Sequence, residues 1–292
     1  MNRLIQSTAL TLAAMTLTQL AGCDTLSPRL YDFRVMKVAH VYNSPLDIVT
    51  ANGSIKAHQE SRDDVAVEVE LYGHDQERLD FATVHADRMG DNTLRVWIDW
   101  PGGKRRDGEG AKIEIYTPDA VGIRAKTSNG AVSVMGLQGE ARINTSNGSV
   151  HIDKHKGPMI MDTSNGAIRV ENSIGNIKFD TSNGRIIVND ATGEVQGDTS
   201  NGNVYVSTAD GARGPIRIRT SNGRVELDLG HGFEGALSIK TSNGRIKTDG
   251  LVNANLVESS DDSLKLQMGQ STEISAVETS NGSVRVHGRS EN

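Results

Sequence analysis

Apolar and polar residues alternate along most of the chain from residue 39 onward. Val65, Val67, Val69 and Leu71 form one such series, Leu94, Val96, Ile98 and Trp100 a second, and Ile113 with Ile115 a third. Downstream the alternation comes in copies. Val132/Val134, Val150/Ile152, Ile168/Val170, Ile186/Val188, Val204/Val206, Val225/Leu227 and Val284/Val286 each follow an Asn at the same distance. Ahead of the copies stand Ile143, Met161, Phe179, Ile218, Ile239 and Val277, each two residues before a Thr. Period-two alternation rich in β-branched residues predicts short strands with one buried face.

Between the two strands of each copy lies Thr-Ser-Asn-Gly. It begins at Thr127, Thr145, Thr163, Thr181, Thr199, Thr220, Thr241 and Thr279, in steps of 18, 18, 18, 18, 21, 21 and 38 residues. Ser259-Ser260-Asp261-Asp262 reads as a drifted copy that divides the last step, and Thr50-Ala51-Asn52-Gly53 as an early one. Asn-Gly predicts a corner that visits positive φ. An antiparallel meander would not keep both flanks of the corner at a fixed period, whereas stacked coils would. The expected fold is all-β, a parallel β-solenoid of 18–21 residues per coil. It is expected to be right-handed by the usual crossover preference. Equivalent residues would stack about 4.8 Å apart, and nine regular coils from residue 123 would span roughly 40 Å. No coil buries its apolar face alone, so neighbours supply the stability. Glycines 139, 157, 175, 193, 214 and 235 mark the closing turns. Thr shares parity with the inward Ile residues in Ile216-Arg217-Ile218-Arg219-Thr220, so its hydroxyl should face inward and bond along the stack.

The domain plan is 1–22 leader, 23–38 tether, 39–122 N-terminal β region, 123–288 repeat solenoid and 289–292 tail. The N-terminal region is expected to continue or cap the stack, because an open edge is adhesive. Gly73 to Asn92 has no assignable pattern, and Gly102 to Gly110, with Lys104, Arg105 and Arg106, reads as an exposed turn. After Val284-Arg285-Val286 no capping segment is evident. The last coil therefore offers an edge to a partner strand, unless Arg285, Arg289 and the polar tail block it.

Composition adds the compartment. The chain has one cysteine, Cys23, which excludes an internal disulfide framework. Arg3 and an apolar stretch from Ala9 to Leu20 precede Leu20-Ala21-Gly22-Cys23. The stretch is too short for a permanent span. The four residues resemble the bacterial lipobox, which implies cleavage before Cys23, acylation of its thiol and a cell-envelope location. Asp24 resembles the enteric signal for the inner membrane. Net charge is −6, so no nucleic-acid partner is expected.

Little chemistry stands out. His40, His58, His74, His85, His151, His155, His231 and His287 show no metal-ligand spacing and read as solvated surface. No phosphate loop, nucleophile elbow or zinc-hydrolase motif occurs, so no catalytic, cofactor or metal residue is assigned. One outward patch is a candidate site: Arg217, Arg219, Arg224, Lys240, Arg245 and Lys247, with Arg224 stacked near Arg245. Its ligand would be an anionic glycan, a phospholipid head group or another polyanion.

Ile115-Tyr116-Thr117-Pro118, the Thr-Ser-Asn-Gly-x-Val/Ile-x-Val units and Asn52-Gly53-Ser54-Ile55 together resemble the bacterial DUF4097 family over residues 39–288. Its members are described as candidate adhesins with β-strand repeats. The resemblance implies a β-helix-like fold and an envelope location, and it carries over no catalytic residue. The expected protein is therefore a non-enzymatic, lipid-anchored binding or structural module whose partners are the membrane and an anionic glycan or envelope protein. The alternatives are a carbohydrate-active enzyme on a β-helix and an envelope-stress sensor.

Overall fold

The computed structural model describes residues 28–290. The leader, Cys23, Asp24 and the first part of the expected tether lie outside the described residues, as do the last two residues of the tail. Two long sheets face each other, one of 12 strands and one of 13. Each coil contributes one strand to each. In the Thr163 coil these are Met159–Thr163 and Ile168–Glu171, joined by the Thr-Ser-Asn-Gly corner. Neighbouring coils pair parallel and in register, Thr145 on Thr163 on Thr181 on Thr199 on Thr220. The expected parallel β-solenoid is the observed fold. Its core is the inward rows of both sheets, with Ile168, Ile186, Val188 and Val195 fully buried.

The corner threonines are buried as their parity predicts. Thr127 Oγ1 donates to the Gly53 carbonyl at 3.0 Å, Thr145 to Gly130 at 3.1 Å and Thr163 to Gly148 at 3.0 Å. Each hydroxyl thus ties one coil to the next. Thr199 is the exception, since its Oγ1 is buried without a partner. Thr163→Val should therefore cost about 1 kcal/mol, and Thr199→Val nothing, because it removes a hydroxyl already unsatisfied. Denaturant midpoints of the two variants check this ordering; equal losses would refute it.

The corner glycines are needed for a different reason from the one the sequence suggests. Gly130, Gly148, Gly166 and Gly184 do not have positive φ. A Cβ on Gly148 would lie 1.8 Å from the Gly130 carbonyl oxygen, and one on Gly166 1.7 Å from that of Gly148. Close approach of backbones, not left-handed geometry, excludes every other residue. At the Gly157 closing turn, and at the early Gly53 corner, both reasons hold: Gly157 and Gly53 have φ of 140° and 137°, and a Cβ on Gly157 would fall 2.1 Å from the Gly139 carbonyl oxygen.

The order of coils in space departs from their order in sequence at both ends. The Thr279 coil pairs with the Thr220 coil on one side and the Thr241 coil on the other. The last strand, Val284–Gly288, is thus enclosed between Val225–Leu229 and Ile246–Asp249, and it offers no edge to a partner. The tail is held as well: Arg289 donates to the Thr208 carbonyl and lies 3.7 Å from both Asp190 and Asp210. Ser259 to Asp262 is no corner. It is the tip of a hairpin, Ala254–Ser259 with Ser263–Met268, that pairs antiparallel on Gly235–Thr241. Without glycine it cannot meet the carbonyl of a neighbouring corner.

The N-terminal region both continues and caps the stack. Leu46–Val49 and Ile55–Gln59, joined through Thr50, form a coil lying between the Thr127 coil and an outer coil of Leu94–Asp99 and Gly110–Thr117. Residues 30–38 of the expected tether are part of a strand, Leu30–Ala39, antiparallel to Asp64–Gly73. The unassigned stretch holds a helix, Gln76–Phe81, capped by the Asp75 carboxylate, and a strand, Thr83–Arg88, antiparallel to Leu94–Asp99. Trp97 is covered by His85, stacked at 4.5 Å. The glycine-rich turn is anchored rather than loose. Buried Glu109 accepts from the Arg106 amide at 2.6 Å and pairs with Arg78. Burial works against its ionisation, but the Arg78 guanidinium and the Arg106 amide outweigh it and hold the carboxyl below its usual range.

Candidate functional site

The corner presents the most regular exposed surface of the molecule. Its asparagines form a continuous ladder. Asn129 donates to Asn52, Asn147 to Asn129, Asn165 to Asn147 and Asn183 to Asn165 at 2.6–2.9 Å. The ladder runs on through Asn201, Asn222, Asn281 and Asn243. A primary carboxamide has two N–H groups and two acceptor lone pairs, so an inner rung keeps one of each free for a ligand. A parallel column of exposed serines, among them Ser146, Ser164 and Ser182, stands beside it. Both columns are positioned by the buried Thr and the stacked Gly on either side.

Along the second sheet, next to the serines, the residue before each Thr points outward. In register these are Asp162, Asp180, Asp198, Arg219, Glu278 and Lys240. Partial burial, and then the charge of Asp180, raise the Asp162 carboxyl above its ordinary range, while Lys178 acts the other way. From Asp180 onward the row forms the floor of an open groove of about 910 Å3, with Glu258, Asp262 and Lys265 of the hairpin along one side. Its lining carries five carboxylates, three cations, corner hydroxyls and no aromatic ring.

The candidate basic patch does not assemble as the sequence suggests. Arg217, Arg219 and Lys240 lie on the second sheet, and Arg224, Arg245 and Lys247 lie beyond the corner on or beside the first. The inserted coil separates Arg224 from Arg245 by Ser283. It also places Glu278 between Arg219 and Lys240, 3.2 Å from Arg219. Arg217 is paired with Glu194. The spacing of 38 residues hid Glu278, because it gave no reason to put residue 278 beside residue 219.

Among the histidines, His155 is not at the surface. It is fully buried at a closing turn, with Nε2 2.8 Å from the Gly139 carbonyl oxygen and Nδ1 unpartnered. Desolvation pushes its pKa down, and the Gly139 contact opposes this only in part. The native protein therefore binds fewer protons than the unfolded chain, whose histidine titrates near about 6.5. Stability should be full above that pH and fall as the medium is acidified below it. The slope of thermal midpoint against pH should flatten in His155→Gln; an unchanged slope would refute the assignment. Among the described residues there is no cluster of three or more metal-ligating side chains. Nor is any described helix long and apolar enough to cross a membrane.

The parallel stack with its Asn-Gly corners is the geometry that the repeats demand, and residues 43–287 match the sequence profile of Toastrack DUF4097. The chain belongs to the Toastrack DUF4097 family. That membership bears out the resemblance carried by the repeats. Solved structures similar to this Toastrack chain include a candidate adhesin from Bacteroides fragilis, 15% identical, covering 90% of this chain and 99% of that one at a TM-score of 0.49. A candidate adhesin from Parabacteroides distasonis is 14% identical, with 87% and 97% covered and a TM-score of 0.36. A candidate cell adhesion protein from Clostridium sporogenes is 12% identical, with 90% and 100% covered and a TM-score of 0.27. No curated protein matches the chain.

Proposed function

We propose that this Toastrack protein is an exported, lipid-anchored, non-catalytic module that binds an extended envelope glycan along its corner face. The lipobox ending in Cys23 supports the anchor and the location. The ladder of carboxamides carries the binding reading. It gives a rigid polar surface with the same donor and acceptor repeated at every coil, which suits a polymer of repeated hydroxyl-bearing units better than a small molecule. Pre-organisation matters here, because rungs already fixed by their neighbours lose little freedom on binding. Glu194 and Glu278 neutralise Arg217 and Arg219, so a neutral or weakly charged glycan fits the face better than a strong polyanion.

The test is a glycan array probed with the detergent-solubilised full chain, followed by size analysis of any glycan it retains. Ser164→Arg with Ser182→Arg places bulk on exposed corner positions without touching the Asn ladder. Retention of a glycan by the wild type and its loss in this variant are expected. Retention that ignores the substitutions, or none at all, would overturn the binding reading. Shortening of the glycan would overturn the non-catalytic one.

A further inference from the structure

The first described strand, Leu30–Ala39, forms the outer edge of its sheet. Tyr31, Phe33 and Val35 share its outward face and are 48%, 60% and 50% exposed. Tyr72 lies directly opposite Tyr31 and has the Arg29 guanidinium 4.9 Å above its ring. Lys37 continues the face, 3.6 Å from Asp64. Glu70 and Glu68 of the next strand lie opposite Phe33 and Val35, and Lys112, one strand further in, pairs with Glu70 at 2.6 Å. The opposite face of the strand is anchored to the fold. Arg34 donates to the Leu79 carbonyl at 2.6 Å and to that of Ala82. The exposed aromatics are therefore presented by a fixed strand, not by a loose terminus.

Leu30 follows Cys23 by seven positions along the chain. Fully extended, that length of chain reaches at most about 24 Å. An acyl group on Cys23 would hold this strand within reach of the lipid head groups. Exposed aromatic rings lie favourably at a membrane interface, where they enter the head-group layer, and Arg29 and Lys37 stand at the two ends of the row, where Lys37 can exchange Asp64 for a lipid phosphate.

From these observations we infer that the Tyr31–Phe33–Val35 face docks on the bilayer surface and sets the solenoid's orientation, with its N-terminal end against the membrane. The inference rests on the lipid-anchor reading for the proximity, and the two are tested apart. Mass analysis of the chain reports acylation of Cys23. Docking is read by quenching in vesicles of phosphatidylglycerol and phosphatidylethanolamine with brominated acyl chains. Phe33→Trp adds a fluorophore on the docking face, and Leu256→Trp adds one on the exposed hairpin at the far end of the stack; wild-type Trp97 and Trp100 supply the background. The expected result is loss of the added emission in Phe33→Trp and its retention in Leu256→Trp. No quenching of Phe33→Trp would overturn the inference, and so would equal quenching of both, since the solenoid would then lie flat. Cys23→Ser blocks acylation and leaves the apolar leader as the tether, so quenching at Phe33 in that variant supports docking whatever the fate of the lipid.

Discussion

Gly166→Ala is expected to destabilise the solenoid by at least about 3 kcal/mol, the upper range for overpacking a close-packed interior. The added Cβ would sit 1.7 Å from the Gly148 carbonyl oxygen. That oxygen cannot retreat. It also accepts the Thr163 hydroxyl at 3.0 Å, and a Cβ on Gly148 would itself lie 1.8 Å from the next carbonyl. Relief requires two coils to separate, which breaks the Asn165–Asn147 bond and strand pairing on both flanks. The control is Gly90→Ala. Gly90 has no positive φ and no atom within 4 Å of the added group, so its replacement should be neutral. Denaturant unfolding followed by far-ultraviolet circular dichroism compares them. A Gly166→Ala midpoint equal to that of Gly90→Ala would show that the corners are not in contact.

The same corner shows what the sequence conveys and what it withholds. Alternation around Thr-Ser-Asn-Gly identified the strands, the inward Thr and the parallel stack, since one-dimensional periodicity and burial report the same faces. It misattributed the glycine, because Asn-Gly is the signature of a positive-φ turn and also of two backbones in contact. Only the neighbouring coil distinguishes these cases. Spatial order was not legible either. Equal spacing says that coils are alike, not which ones touch, so the Thr279 coil could enter between Thr220 and Thr241 without altering any local pattern. Glu278 then falls between Arg219 and Lys240, and the basic patch becomes a row of alternating charge. His155 escaped for a related reason. It lies in a closing turn, where parity breaks down and a polar residue can point inward to a carbonyl.

Another irregularity of the repeat explains itself through its neighbour. Two residues before the Thr, successive coils place Met161, Phe179, Gly197 and Ile218 in one buried row. Gly197 breaks the apolar series, and its φ is not in the left-handed region. A Cβ there would fall 1.7 Å from the Phe179 ring, so the ring occupies the space of two side chains. Phe179→Ala should cost about 3–5 kcal/mol through the cavity it leaves. Gly197→Val alone should be at least as harmful as an ordinary overpacking change, about 3 kcal/mol, because a rigid ring blocks the site. The pair Phe179→Val with Gly197→Val restores the pattern of the other coils, one medium apolar residue on each rung. Measured against the single variants Phe179→Val and Gly197→Val, it should recover most of the loss, with a coupling near the upper end of the 0.5–3 kcal/mol range for residues in contact. Strictly additive losses in the double variant would mean that the ring and the glycine do not share that space. They would also remove the steric reason for the one missing side chain in the row.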